Sequence, residues 1–258
     1  MKKLVVLVLG MVVLVGAGLS FKASLGSPSR LRLPNLRINE IIADSKIELS
    51  GKMAEEHRPL SAFSKIELTG SGKLIVNLDA QPGALIKADE KLLSVVVSEV
   101  RGDTLHLGPR PGALFTGGTI VYEISAQSVE LVRTSGSGDV EINGIVTGNE
   151  LTLQSEGSGK IRAKVAVKEL ESRIAGSGDV EVSGTAEDFS LLILGSGNVR
   201  GQELSGEKIK ANIAGSGNVD LGTYMEIDVN IAGSGDLSYT GNPKLSTRVA
   251  GTGKVRSR

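Results

Sequence analysis

IAGSGDVEVSG, residues Ile174–Gly184, is one of a series of near-copies filling the C-terminal half of the chain. The others are TSGSGDVEING from Thr134, SEGSGKIRA from Ser155, ILGSGNVRGQ from Ile193, IAGSGNVDLG from Ile213, IAGSGDLSYTG from Ile231 and VAGTGKVRS from Val249. The first glycine of each Gly-Ser/Thr-Gly falls at Gly70, Gly136, Gly157, Gly176, Gly195, Gly215, Gly233 and Gly251. After one long interval, from Gly70 to Gly136, the spacing is nearly constant. A fixed period of roughly 20 residues marks a stacked repeat architecture. The long interval divides into three such periods, which predicts further coils there without the glycine mark. SKIELSGK at Ser45 recurs one period later as SKIELTGSGK at Ser64, and predicts one more coil.

Apolar residues alternate with polar ones on both sides of the glycines. Phe189, Leu191 and Ile193 precede Gly195; Val180 and Val182 follow Gly178. Period two over four to six residues means strands, so each coil holds short strands joined by turns. DEKLLSVVVSEV, from Asp89, has a helical flavour, but its valine run favours a strand. Outward residues argue for parallel stacking. Right after each motif stand Asp139, Lys160, Asp179, Asn198, Asn218, Asp236 and Lys254. Two positions on stand Glu141, Arg162, Glu181, Arg200, Asp220, Ser238 and Arg256. Stacked in register at about 4.8 Å, the second column alternates acid and base, and opposite charges on adjacent strands attract. The expected fold is therefore all-β, a right-handed parallel β-helix or β-solenoid with about 18 to about 22 residues per coil. Asp139, Lys160, Asp179, Glu141, Arg162, Glu181, Arg200 and Asp220 are its register ladder.

The glycines then read as corners. Glycine reaches φ > 0 without steric cost, and two around a small hydroxyl let one corner lie on the next. The corner pairs are Gly70 and Gly72, Gly136 and Gly138, Gly157 and Gly159, Gly176 and Gly178, Gly195 and Gly197, Gly215 and Gly217, Gly233 and Gly235, and Gly251 and Gly253. The preceding alanines, Ala175, Ala214, Ala232 and Ala250, are small enough to tuck into the bend. Ligand readings fit less well. A phosphate cradle needs a helix after the glycines, and none follows. A calcium β-roll needs two nonapeptide motifs in each coil of this size. Only one is present, and Lys160 and Lys254 stand where an acidic ligand would.

Composition narrows the classes of function. The chain has 258 residues, 40% hydrophobic, with four Phe, three Tyr, no Trp and no Cys. Disulfides, thiolate metal sites and cysteine nucleophiles are excluded. The 29 basic and 29 acidic residues balance, so no basic face calls for nucleic acid. Lys2 and Lys3 precede the uncharged LVVLVLGMVVLVGAGL, residues 4 to 19, as in a secretory signal cleaved after Ser20. The alternative is an uncleaved membrane anchor through residues 4 to 21. Residues 21–44 read as a linker, and 45–258 as a single repeat domain.

No catalytic constellation emerges. His57, in AEEHRP, reads as a solvated turn; His106 alternates with leucines in TLHLG; neither has metal-ligand spacing. No Gly-x-Ser-x-Gly elbow leads into a helix. Paired carboxylates could serve a glycosidase, but the ladder neutralises most outward acids, and Tyr239 falls on the inward register. No cofactor is expected.

The segments EEHRPLSAFSKIELTGSGKLIVN and IKADEKLLSVVVSEVRGDTLHLG, followed by the GSGD/GSGN ladder, resemble the family described as "putative auto-transporter adhesin, head GIN domain". The resemblance runs from Glu55 to Arg258. It implies a secreted or envelope-bound protein with a right-handed β-helix-like fold, and neither catalytic residues nor a cofactor. The expectation is an exported, non-catalytic adhesin or scaffold binding a surface glycan or protein. A polysaccharide-active enzyme and a purely structural envelope protein are the alternatives. At the last repeat, Lys254, Arg256 and Arg258 either blunt an exposed edge by charge or leave it to pair with a second copy.

Overall fold

The computed structural model describes residues 4–8, 11–15, 46–79 and 81–258. The expected cleavage site and linker lie outside these residues. The chain divides into two compact units, Met1–Ile41 and Ile42–Arg258. In the first, β1 (Leu4–Val8) and β2 (Met11–Val15) pair antiparallel. No described helix is long and apolar enough to cross a membrane.

The second unit is a β-solenoid of about seven turns with parallel strands. Its repeating part comprises β12 (Leu131–Gly136), β13 (Asp139–Gly157), β14 (Lys160–Gly176), β15 (Asp179–Gly195), β16 (Val199–Gly215) and β17 (Val219–Gly233). It closes with β18 (Leu237–Thr240), β19 (Lys244–Gly251) and β20 (Val255–Ser257). The alternation explains why these residues form these strands. In β15, Val180, Val182, Ala186, Phe189, Leu191 and Ile193 point inward and are buried, while the charged residues between them face solvent. Each inward residue stacks on its counterpart in the next coil: Leu170 on Phe189, Phe189 on Ile209, Ile209 on Ile227. One aliphatic core runs through the stack. Its few polar members include Thr134 and Ser172, whose hydroxyls have no partner among the described residues.

The long interval between Gly70 and Gly136 holds no extra coils of the regular kind. β12 pairs directly with β5 (Lys65–Gly70), setting Gly136 on Gly70, and β13 pairs with β6 (Lys73–Leu78), setting Asp139 on Lys73. Residues between these strands form an insertion below the first coil. β9 (Thr104–Pro109) and β11 (Val121–Ala126) continue the stack in parallel under β5 and β6. Direction then reverses. β8 (Val96–Arg101) pairs antiparallel with β9, and β7 (Gly83–Asp89) pairs antiparallel with β11 and with β4 (Met53–Pro59). Hairpins that cannot propagate a parallel coil end the solenoid here, as a capping repeat does.

Two local expectations are corrected by the same insertion. SKIELSGK is not a coil: β3 (Lys46–Ile47) pairs with β10 (Leu114–Phe115) instead. Asp89–Val100 is both things at once. Asp89 caps a single helical turn, α1 (Glu90–Leu93), by accepting from the Lys91 N–H, and the valines then enter β8. The Asp89 carboxylate also accepts from Gly51 N and the Ser50 hydroxyl, which consumes its lone pairs locally.

Candidate functional site

The glycine edge is a line of stacked backbone. Gly70, Gly136, Gly157, Gly176, Gly195, Gly215, Gly233 and Gly251 lie one on another in register. At each corner from Ser137 to Thr252 the hydroxyl residue's N–H donates to the carbonyl of the first glycine one coil earlier, as Ser196 N does to Gly176 at 2.9 Å. The two glycines of a motif are required for different reasons. The first adopts positive φ, +130° at Gly195, and a Cβ there would lie 2.3 Å from the Gly176 carbonyl oxygen. The second, from Gly138 to Gly235, is buried without positive φ, and a Cβ at Gly197 would lie 2.2 Å from the Gly178 oxygen; Gly72, in the first motif, has φ +138°. With those carbonyls and N–H groups engaged between coils, the edge leaves no cradle for an anion. The alanines do not tuck into the bend. Ala175, Ala214, Ala232 and Ala250 are exposed, because they fall on the outward register one position before the turn.

The residue after the motif has a role the sequence reading missed. Asp139 Oδ1 accepts from Lys160 N, Asp179 Oδ1 from Asn198 N, Asn198 Oδ1 from Asn218 N, Asn218 Oδ1 from Asp236 N and Asp236 Oδ1 from Lys254 N, at 2.9 to 3.1 Å. Each Asp or Asn therefore supplies the acceptor for the next coil's corner N–H. Where a lysine stands below, the N–H turns to backbone: Asp139 N donates to Gly72 O above Lys73, and Asp179 N to Gly159 O above Lys160. The signal was present in the preference for Asp and Asn, the two short side chains with an oxygen at that reach.

The second column stacks in register: Glu141 on Arg162, Arg162 on Glu181, Glu181 on Arg200, Arg200 on Asp220. The ion pairs run mostly diagonally. Lys73 reaches Glu141 at 3.0 Å, Lys160 reaches Glu181, Asp179 takes Arg200 at 2.8 Å, and Asp236 takes Arg256 at 3.2 Å. Each joins a first-column residue to the second column one coil on. Arg162 Nε also lies 3.4 Å from Glu181. These contacts hold carboxyls below their ordinary range. The hydrogen bond from Lys73 lowers Glu141, and that from Lys160 lowers Glu181. At Asp179 partial burial pushes upward, but Arg200 and Asn198 outweigh it and the net shift is down.

The side between the second column and the strand before the next glycine behaves differently. From each first glycine to the second column is always five positions. From Glu150, Glu169, Asp188, Lys208, Glu226 and Lys244 to the next first glycine is always seven. The distance between those columns is nine, seven, seven, eight, six and six positions, so it absorbs every change in coil length. Pairing slips there, between Glu141 and Ile145, Glu181 and Gly184, Gly201 and Ser205, and Asp220 and Thr223. A groove of about 640 Å³ follows this side, with Asn143, Ile145, Lys164, Ser183, Gln202 and Glu203 among its walls. Ile145 on its rim is 56% exposed.

The remaining candidates are scattered. His57 lies in β4 rather than a turn, and exposed. His106 Nδ1 lies 3.1 Å from Glu67, and neither residue lines the groove. Tyr239 packs against the core. Glu150, Glu169 and Asp188 stack directly on one another with no ion-pair partner among the described residues, so the ladder does not neutralise every outward acid. No group of three potential metal ligands occurs among the described residues.

Fold and surface together define a capped β-solenoid with one invariant edge and one variable side. The chain belongs to the family described as "putative auto-transporter adhesin, head GIN domain", whose sequence profile matches residues 62–243. No curated protein matches it. Solved structures share the fold. One is a "putative adhesin" from Bacteroides fragilis, with TM-score 0.78 and 22% identity, covering 82% of this chain and 100% of that one. A "putative lipid binding protein" from Parabacteroides distasonis has TM-score 0.71 and 24% identity, covering 83% and 99%. A "putative adhesin" from Parabacteroides merdae has TM-score 0.64 and 20% identity, covering 83% and 99%.

Proposed function

We propose that this protein is an exported, non-catalytic scaffold of the cell envelope that binds a surface ligand, as an adhesin does. The observation that carries the reading is the division of labour around the coil. Glycine stacking, the Asp/Asn chain and the charge ladder fix most of each turn, while length and composition vary on one side. In repeat proteins, insertions confined to one face mark the binding face. The family and its structural neighbours support adhesion as the class, and the apolar segment at residues 4–19 supports export. The test is retention of labelled protein on intact bacterial cells, isolated envelopes and extracellular matrix. Saturable retention on one of them is expected, and none on any would contradict the reading.

One observation favours a second reading, a polysaccharide-active enzyme. Glu150, Glu169 and Asp188 line a surface depression and stand about one strand spacing apart, near about 4.8 Å, close to the roughly 5 Å carboxyl separation of retaining glycosidases. Release of reducing ends from envelope polysaccharides, lost in Glu169→Gln, would favour that reading over adhesion.

A further inference from the structure

Resting on the adhesive reading, we infer that the groove on the variable side is the ligand site and that it takes an acidic polysaccharide bearing sugar carboxylates. The pairing of charges points there. Around the groove, Glu141, Glu181 and Arg200 are each engaged by a partner on the ladder. Lys164 has no ion-pair partner among the described residues, and Arg162 touches Glu181 only through Nε. Both are exposed, two positions apart on one strand, so their side chains leave the same face of β14 at the middle of the groove. A guanidinium fork beside an ammonium matches a carboxylate, and charge-assisted hydrogen bonds of this kind are the strong ones.

The rest of the lining suits a sugar chain. The side chains of Ser183 and Gln202 make no hydrogen bond among the described residues, while the Ser183 backbone is held in the ladder, so both side chains are available to hydroxyls. Ile145 offers an apolar ledge to the C–H face of a ring. The groove crosses coils that repeat at about 4.8 Å, so an extended polymer along the stack meets a new polar side chain at each coil. Glu203 on the far wall accepts from hydroxyls and disfavours a second carboxylate at that end, which gives the bound chain a direction.

The experiment is calorimetric titration of the folded protein with a defined oligogalacturonate, its methyl-esterified form and a glycerol-phosphate oligomer. The methyl ester keeps rings and hydroxyls but removes the charge. Oligogalacturonate is expected to bind, the ester about tenfold or more weaker, and the phosphate oligomer weaker as well. Arg162→Ala with Lys164→Ala should abolish binding while the protein still melts in one cooperative transition, lowered only by the small loss of the exposed Arg162–Glu181 contact. Lys210→Ala, in the separate depression lined by Glu169 and Asp188, should change neither. Equal affinity for the ester, preference for the phosphate oligomer, loss in Lys210→Ala, or no heat at millimolar ligand each overturns the inference. Retention on cells with no oligouronate binding would overturn the site's chemistry and leave adhesion standing; no retention at all would remove both.

Discussion

At Gly195 two constraints coincide, a φ of +130° and a neighbouring carbonyl where a Cβ would sit. Gly195→Ala should therefore cost more than about 4 kcal/mol, a range that backbone strain and overpacking in a packed site can reach. Gly51→Ala is the contrast, because its φ is +76° but the space around it is open. There the cost should be about 1 kcal/mol. Urea unfolding of both variants separates stacking from dihedral strain. At Asp179 the Oδ1 acceptor and the charge can be parted. Asp179→Asn keeps an acceptor for Asn198 N and should lose less than about 1 kcal/mol with the Arg200 pair. Asp179→Ala removes the acceptor and should cost about 1 kcal/mol more. The carbonyl of Gly178 limits that loss, as the carbonyl of Gly159 serves Asp179 above Lys160. Inside the stack, Thr134→Val removes a buried hydroxyl without a partner and should be neutral or stabilising by up to about 1 kcal/mol.

The strands of each coil were legible because inward Val, Ile and Leu alternate with polar residues over most of their length, as from Ile209 to Ile213. The corner's second hydrogen-bonding role was not. The alternation of Glu141, Arg162, Glu181 and Arg200 draws the eye to charge, while the acceptor chain runs through Asp179, Asn198 and Asn218 regardless of charge. Carboxylates still set the acid limit of the stack. Glu141, Glu181 and Asp179 have folded pKa values below their unfolded ones. The stability they contribute is present above the unfolded value of about 4 and is lost as pH falls through the lowered folded values. The melting temperature should hold from neutral pH down to about 5 and fall below about 4, and the fall should be shallower in Asp179→Asn.

At the scale of the molecule, the repeat period predicted the solenoid and misread its beginning. The interval from Gly70 to Gly136 divides evenly into coils, and nothing in its length distinguishes three coils from one long excursion. The distinction lies in chemistry: GPRPG from Gly108 and the αR turn capped by Asp89 break any parallel register, and the antiparallel hairpins follow. The same comparison of spacings locates the variable side, because the fixed offsets of five and seven leave one place for length to change. The direct stacking of Gly136 on Gly70 is the most exacting consequence of this architecture. It puts Thr69 and Ser135, both exposed and far apart in sequence, side by side on adjacent strands. The chain has no cysteine, so Thr69→Cys with Ser135→Cys can be oxidised without competition. Adjacent parallel strands place such a pair near about 4.8 Å, within the roughly 4.4–6.8 Å that a disulfide spans. A quantitative intramolecular disulfide on mild oxidation of the folded protein is predicted. Two free thiols that stay apart, as two intervening coils would keep them, would contradict the account.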